Sequence, residues 1–192
     1  MARTLTEASR IDQLLPAYDF RAAYETRINA PRSRVYECLL HTDFSELWMT
    51  RLLMTLRSGK LMRRNPPTPG DLRQKFPGTG FVILEEVPED ELVIGVAGRF
   101  WRPDGERFME LTASSFEEFS RKGWAKAAWN FKLLTESADT EATILSTETR
   151  IQCLGRAARW KFGAYWSLVS PFSGLIRKEL LKKVKATAEA SS

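Results

Sequence analysis

The C-terminal end of the chain leaves the fewest choices. Phe162, Tyr165, Trp166, Val169, Phe172, Ile176, Leu180 and Val184 recur at three- and four-residue intervals. That spacing lays side chains along one face of a helix. A helix with so apolar a face must be matched by an apolar surface built elsewhere in the chain. Ser170-Pro171 interrupts the stripe. Either serine as N-cap and proline at the first helical position start a fresh helix there, or one long helix kinks at Pro171. From Ser170 to Ala188 a helix spans roughly 28 Å at 1.5 Å per residue.

Strands can supply the matching surface. In residues 19–29, Tyr24, Thr26 and Ile28 share one parity and Glu25, Arg27 and Asn29 the other, the period of a strand. Ala30-Pro31 ends it, and Pro31 suits the first turn of a helix running through Val35, Leu39 and Leu40. Asp43, with Glu46 in the capping-box position, predicts a second helix carrying Leu47, Trp48, Leu52, Leu53 and Leu56. Residues 57–79 form a loop, basic at Arg57, Lys60, Arg63 and Arg64 and proline-rich at Asn65-Pro66-Pro67 and Pro69-Gly70. Phe81–Val87 and Leu92–Trp101 read as strands joined by a tight turn at Pro88-Glu89-Asp90. A turn at Arg102–Gly105 leads into a further strand, Glu106–Thr112, and Ser114–Arg121 is a possible helical turn. In Trp124–Leu134, residues Ala125, Ala127, Trp129, Phe131 and Leu133 alternate with Lys126, Asn130 and Lys132. Ser137–Thr140 is a turn, and Thr143–Cys153 is the last strand. Residues 1–18 form an arm, loose or laid on the body as a short helix through Ile11, Leu14 and Leu15. Residues 19–189 form one domain.

At 192 residues the chain is long enough to bury a core without disulfides or metal. Six Trp and eleven Phe against four Tyr are rings to fill a core or line a pocket. A net charge of +5 is too small to imply nucleic-acid binding, and there is no glycine-rich phosphate loop or RNA-binding signature. No apolar run reaches about eighteen residues, so no membrane span is expected. Cys38 and Cys153 fit no metal or redox spacing. With no secretory leader they read as free thiols, which predicts a cytoplasmic protein.

ETRINAPRSRVYECLL at 25–40, where a strand ends in Ala-Pro and a helix carries an aromatic after Val, resembles the START-like or helix-grip superfamily, also called SRPBCC or polyketide cyclase/dehydrase-like. TETRIQCLGRAARWKFGAYWSLVSPFSGLIRKELLKKVKATAE at 147–189 looks like bacterial members that close with a strand and a long helix. The resemblance implies an α+β fold: a curved antiparallel sheet wrapped around the C-terminal helix, with two short helices after the first strand. It also implies a cavity used for lipids, sterols, polyketides or hormones. It brings no shared catalytic motif and no cofactor.

Candidate ligand-binding residues are Arg99, Trp101, Trp129, Phe131, Tyr165, Trp166 and Val169, with Phe172 beside them. For each ring the plainer reading is packed core. In GRFWRP, Arg99 shares the parity of Trp101 if the strand is unbroken, so it is the better arginine for a carboxylate or phosphate. Tyr165 is the other candidate for orienting a polar head. Glu25 and Arg27 on the first strand, and Glu148 and Arg150 on the last, suit a charge ladder on the outer face. His41, the sole histidine, suits a helix end better than catalysis. Arg177, Lys178, Lys182, Lys183 and Lys185 read as the solvated face of the last helix, with transient contact to anionic lipid heads as the alternative.

The expected function is binding or carriage of a hydrophobic or amphipathic small molecule. One alternative is a cyclase- or dehydratase-type enzyme acting on a carbonyl compound in the same cavity. It requires a buried titratable group with a displaced pKa. The other is an interaction protein with a filled interior.

Overall fold

A computed structural model describes residues 9–42, 72–76, 78–102, 104–135 and 142–190. The elements are α1 (Arg10–Leu14), β1 (Phe20–Ile28), α2 (Arg32–His41), a 3-10 turn (Leu72–Lys75), β2 (Phe81–Val87), β3 (Glu91–Gly98), α3 (Ala113–Phe116), β4 (Ala125–Thr135), β5 (Thr143–Cys153) and α4 (Arg156–Glu189). The five strands form one antiparallel sheet in the order β1-β5-β4-β3-β2. The sheet is curved and open, and it packs against the long C-terminal helix. The helix expected over residues 43–56, most of the 57–79 loop and the turn at 137–140 lie outside the described residues.

Alternation dictates how the sheet is dressed. On β1, exposed Arg21, Ala23, Glu25 and Arg27 alternate with more buried Phe20, Ala22, Tyr24, Thr26 and Ile28. The second set faces α4. On that side one apolar cluster joins Ile28, Val35, Leu39, Leu92, Phe131, Leu133, Leu145, Leu180 and Val184. Another, nearer the start of α4, joins Val96, Ala125, Ala127, Ile151 and Phe162.

The opposite face of the sheet is also covered. Ile11 and Leu15 of the arm, with Leu111 and Phe116, bury Val93, Ala97 and Ala128. The polar set of β4 is therefore buried rather than solvated. Lys126 Nζ donates to the carbonyls of Phe116 and Glu117 at 3.3 and 2.8 Å. Asn130 donates to Glu91 Oε1 at 2.7 Å, and Lys132 Nζ lies 3.7 Å from Glu91. The charge ladder exists on this outer face with different members. Arg21 and Arg150 both donate to Glu148, at 2.8 and 2.6 Å, while Arg27 donates to Asn29.

Several local expectations change. β3 ends at Gly98 rather than at Trp101. Glu106–Thr112 is not a strand: it makes a single bridge, Arg107 to Gly98. The reason is occupancy, because β2 already takes the edge of β3 from Glu91 to Val96 and leaves only its last two residues free. Pro31 is the N-cap of α2 and not its first helical residue; ψ of 155° keeps it extended, and its carbonyl accepts from Val35 at 3.1 Å. Asp90 N–H donates to the Val87 carbonyl at 3.0 Å, closing the turn with Pro88 second and Glu89 at φ 62°. At the other end of α2, His41 Nδ1 lies 2.9 Å from the Glu37 carbonyl oxygen, a helix-end contact.

α4 is one helix of 34 residues, and Pro171 sits inside it. Proline cannot donate to the carbonyl four residues back, here that of Ser167. Both residues are exposed, so water can take the freed carbonyl and the helix continues. No helix among the described residues is long and apolar enough to cross a membrane.

Candidate functional site

Between the two inner clusters the sheet changes character. β4 is the central strand, and from Ala125 to Leu133 every residue is buried except Trp129. Trp129 faces α4, packs against both clusters and meets Phe81 edge-on at 5.3 Å between centroids. An inward ring on the middle strand of five should be the driest position in the sheet. Its partial exposure sets it apart from every other residue between Ala125 and Leu133. Tyr24, Tyr165, Trp166, Phe172 and Ile176 are likewise only half-buried.

Polar groups stand on the same face of the sheet. Cross-strand partners project to the same face, so Thr149 stands beside Trp129 and Thr147 beside Tyr24. Arg177 reaches inward from α4, its Nη1 donating to Thr147 Oγ1 at 3.1 Å. Thr147 in turn donates to the Asn130 carbonyl at 2.7 Å. Arg177 forms no ion pair among the described residues. Arg177 is half-buried. Burial pushes its pKa down to about 10, opposed by nearby Tyr24, so it stays charged at neutral pH. Thr149 is 7% exposed, and its hydroxyl has no hydrogen-bond partner. The helix comes close here: a Cβ at Gly174 would collide with the Tyr24 hydroxyl.

This corrects the sequence reading of Arg177 as part of a solvated basic face. Lys178 and Lys182 are exposed, Lys183 and Lys185 half-buried, and Arg177 turns in. Its spacing held the signal. Residues 177, 180, 181, 184 and 188 follow helical periodicity, and the last four are buried. Tyr24, Thr147 and Thr149 were also missed as site residues, although a threonine-rich strand is what would put hydroxyls on this face.

The expected site residues are dispersed. Trp101, Tyr165 and Trp166 gather around Phe162, at 6.3, 5.8 and 5.7 Å. Val169 is buried on the same helix. Phe131 is 0% exposed, within the apolar cluster. Arg99 parts from this group. Because β3 stops at Gly98, the shared parity with Trp101 is lost. The Arg99 guanidinium lies 5.2 Å from the Trp124 ring and 3.3 Å from Glu106. Arg99, Trp101 and Arg102 instead line a cleft of about 470 Å³ together with Gly123, Ala157, Ala158 and Lys161. Arg102 is paired there with Asp104 and Glu106 at 3.1 and 3.6 Å.

No family model matches the chain, and no curated protein matches it. Solved structures do. A hypothetical protein, jhp0584 from Helicobacter pylori, is 11% identical with a TM-score of 0.43, over 97% of this chain and 99% of that one. Protein MLL2253 from Mesorhizobium loti is 11% identical with a TM-score of 0.40, over 90% and 99%. The Zhui aromatase/cyclase from Streptomyces sp. R1128 is 13% identical with a TM-score of 0.27, over 88% and 93%. At such distances no activity follows from any of them. What this face offers chemically is an inward cation, a buried hydroxyl without a partner and a run of half-buried rings.

Proposed function

We propose that the protein binds or carries an amphipathic small molecule, lipid-like or polyketide-like, in the space between the sheet and α4. The observation that carries this is Trp129, half-exposed on the central strand and facing the helix. Burying ligand carbon against Trp129, Tyr165, Trp166 and Phe172 would supply most of the affinity. The helix-grip resemblance of residues 25–40 and 147–189 supports the same reading, as a START-like protein of the SRPBCC kind. The free thiols Cys38 and Cys153, both raised by burial and Cys153 to about 12, suit a reducing, cytoplasmic setting. Native mass spectrometry of the protein purified from its own host tests the reading. A co-purifying lipid-like mass is expected. Protein that emerges empty and takes up no amphiphile in solution refutes it.

We also infer that α4 meets an anionic membrane surface while ligand is exchanged. Its outer side exposes Trp160 at 77%, Leu168 at 71% and Leu175 at 50%. Helical spacing places them along one strip with Ala164 and Pro171, and the strip runs on into exposed Lys178 and Lys182. An apolar strip edged by lysines suits the headgroup boundary of an anionic bilayer.

A further inference from the structure

Resting on the ligand reading above, we infer that the ligand carries an oxyanion head, a carboxylate or a phosphate ester, and that Arg177 receives it. A half-buried cation that its helix turns toward the sheet gives up part of its hydration, and a counter-charge there would offset that cost. Arg177 has one neutral acceptor, Thr147 Oγ1 at 3.1 Å, for a fork of five N–H groups. Its planar fork matches a carboxylate or phosphate in two-point geometry. The neighbouring groups point to the same chemistry. The Thr149 hydroxyl, buried and unpartnered, stands two residues along β5 from Thr147 on the same face. It can donate to an anion. Thr147 is already committed to the Asn130 carbonyl, so it cannot satisfy the fork further. Trp129 lies directly beside Thr149 across the ladder. Together they form a polar end made of donors and an apolar wall next to it, the layout an acidic amphiphile requires. A neutral alcohol or ester would leave the guanidinium without its counter-charge, so the site discriminates by charge.

The test is calorimetric titration of the full chain with decanoate, decyl phosphate and decan-1-ol. Wild type should bind at least one of the two acids about ten- to a hundred-fold more tightly than the alcohol, the worth of a charge-assisted hydrogen-bonded pair. Arg177→Met should remove that preference, bringing the affinities for acid and alcohol together. Arg177→Lys should keep part of it, and Thr149→Val should reduce it several-fold. Equal affinity of wild type for acid and alcohol overturns the assignment, as does an Arg177→Met protein that still prefers the acids. If none of the three probes binds, the ligand reading itself has failed. If Arg177→Met does not fold, the wild-type preference and the Thr149→Val titration still decide.

Discussion

Arg150 holds Asp12 across the outer face of the sheet, Nη2 to Oδ1 at 2.5 Å. Its Nη1 also lies 3.3 and 3.2 Å from the carbonyls of Ile11 and Leu15. A five-residue helix such as α1 has no stability of its own in water. It is held at the other end by Glu91, which accepts from Ser9 Oγ at 2.5 Å and from the Arg10 amide at 2.9 Å. Arg150→Met should therefore cost about 2–3 kcal/mol of unfolding free energy, because Glu148 is left with Arg21 alone and the Leu15 carbonyl loses its donor. Hydrogen exchange should show the loss first at residues 10–15, ahead of the strand amides.

Glu148 sets an acid limit. Burial, the largest single influence, raises its pKa, but the hydrogen bonds and charges of Arg21 and Arg150 outweigh burial and hold it below the ordinary 4.5. A carboxyl depressed in the folded state adds stability above its unfolded pKa and loses it as pH falls through the folded value. Denaturant midpoints should be flat near neutrality and drop below about pH 4.5. In Glu148→Gln that part of the drop should be absent, with stability lower throughout the neutral range.

Two rings on one strand should respond unequally to truncation. Phe131→Ala, in a fully buried position, should cost about 3–5 kcal/mol. Trp129→Ala should cost only roughly 1–2 kcal/mol, since a ring that is partly exposed leaves less of a sealed void. Urea denaturation measures both. Equal losses would mean that the space in front of Trp129 is filled, and the ligand reading would fall with it.

The contrast between these rings also shows what could be read from the chain. The positions of the strands along the chain, the inward set of β4 and the stripe of α4 followed from periodicity, because each element has one face that must be dry. Two-sided burial broke that rule. All eight residues of β3 are buried, Glu91 included, because the arm and residues 108–119 cover the outer face. Nothing in local periodicity says that a polar set such as Lys126, Asn130 and Lys132 will find partners inside. Arg177 was misread for the same reason: its direction depends on Thr147, thirty residues away. Arg99 and Trp101 could not be placed because parity has meaning only within an unbroken strand.

The outer strip of α4 can be tested without a ligand. Wild type should co-sediment with vesicles containing anionic lipid and release them as salt rises, since the lysine contribution is screened. Trp160→Ser with Leu168→Ser should weaken this at least several-fold with no loss of thermal stability, because both side chains are exposed. Retention on neutral vesicles equal to that on anionic ones would count against the charge argument.

Two glycines of α4 should answer alanine in opposite directions. In a helix interior, alanine is favoured over glycine by about 1 kcal/mol. At Gly163 a new Cβ would meet only Phe20 Cζ at 3.5 Å, ordinary contact, so Gly163→Ala should raise stability by up to about that amount. At Gly174 the same methyl strikes the Tyr24 hydroxyl, and overpacking of this kind costs about 1–3 kcal/mol. The clash should exceed the propensity gain, so Gly174→Ala should lower the melting temperature. Tyr24→Phe removes the oxygen and leaves the ring carbon 3.1 Å from the new Cβ, a contact that a small shift relieves. The double variant should therefore regain most of the loss, with a coupling of about 1 kcal/mol or more in the mutant cycle. Strict additivity would mean that α4 moves off the sheet at this point, and the Arg177–Thr147 contact one turn further along would have to be looser than it is.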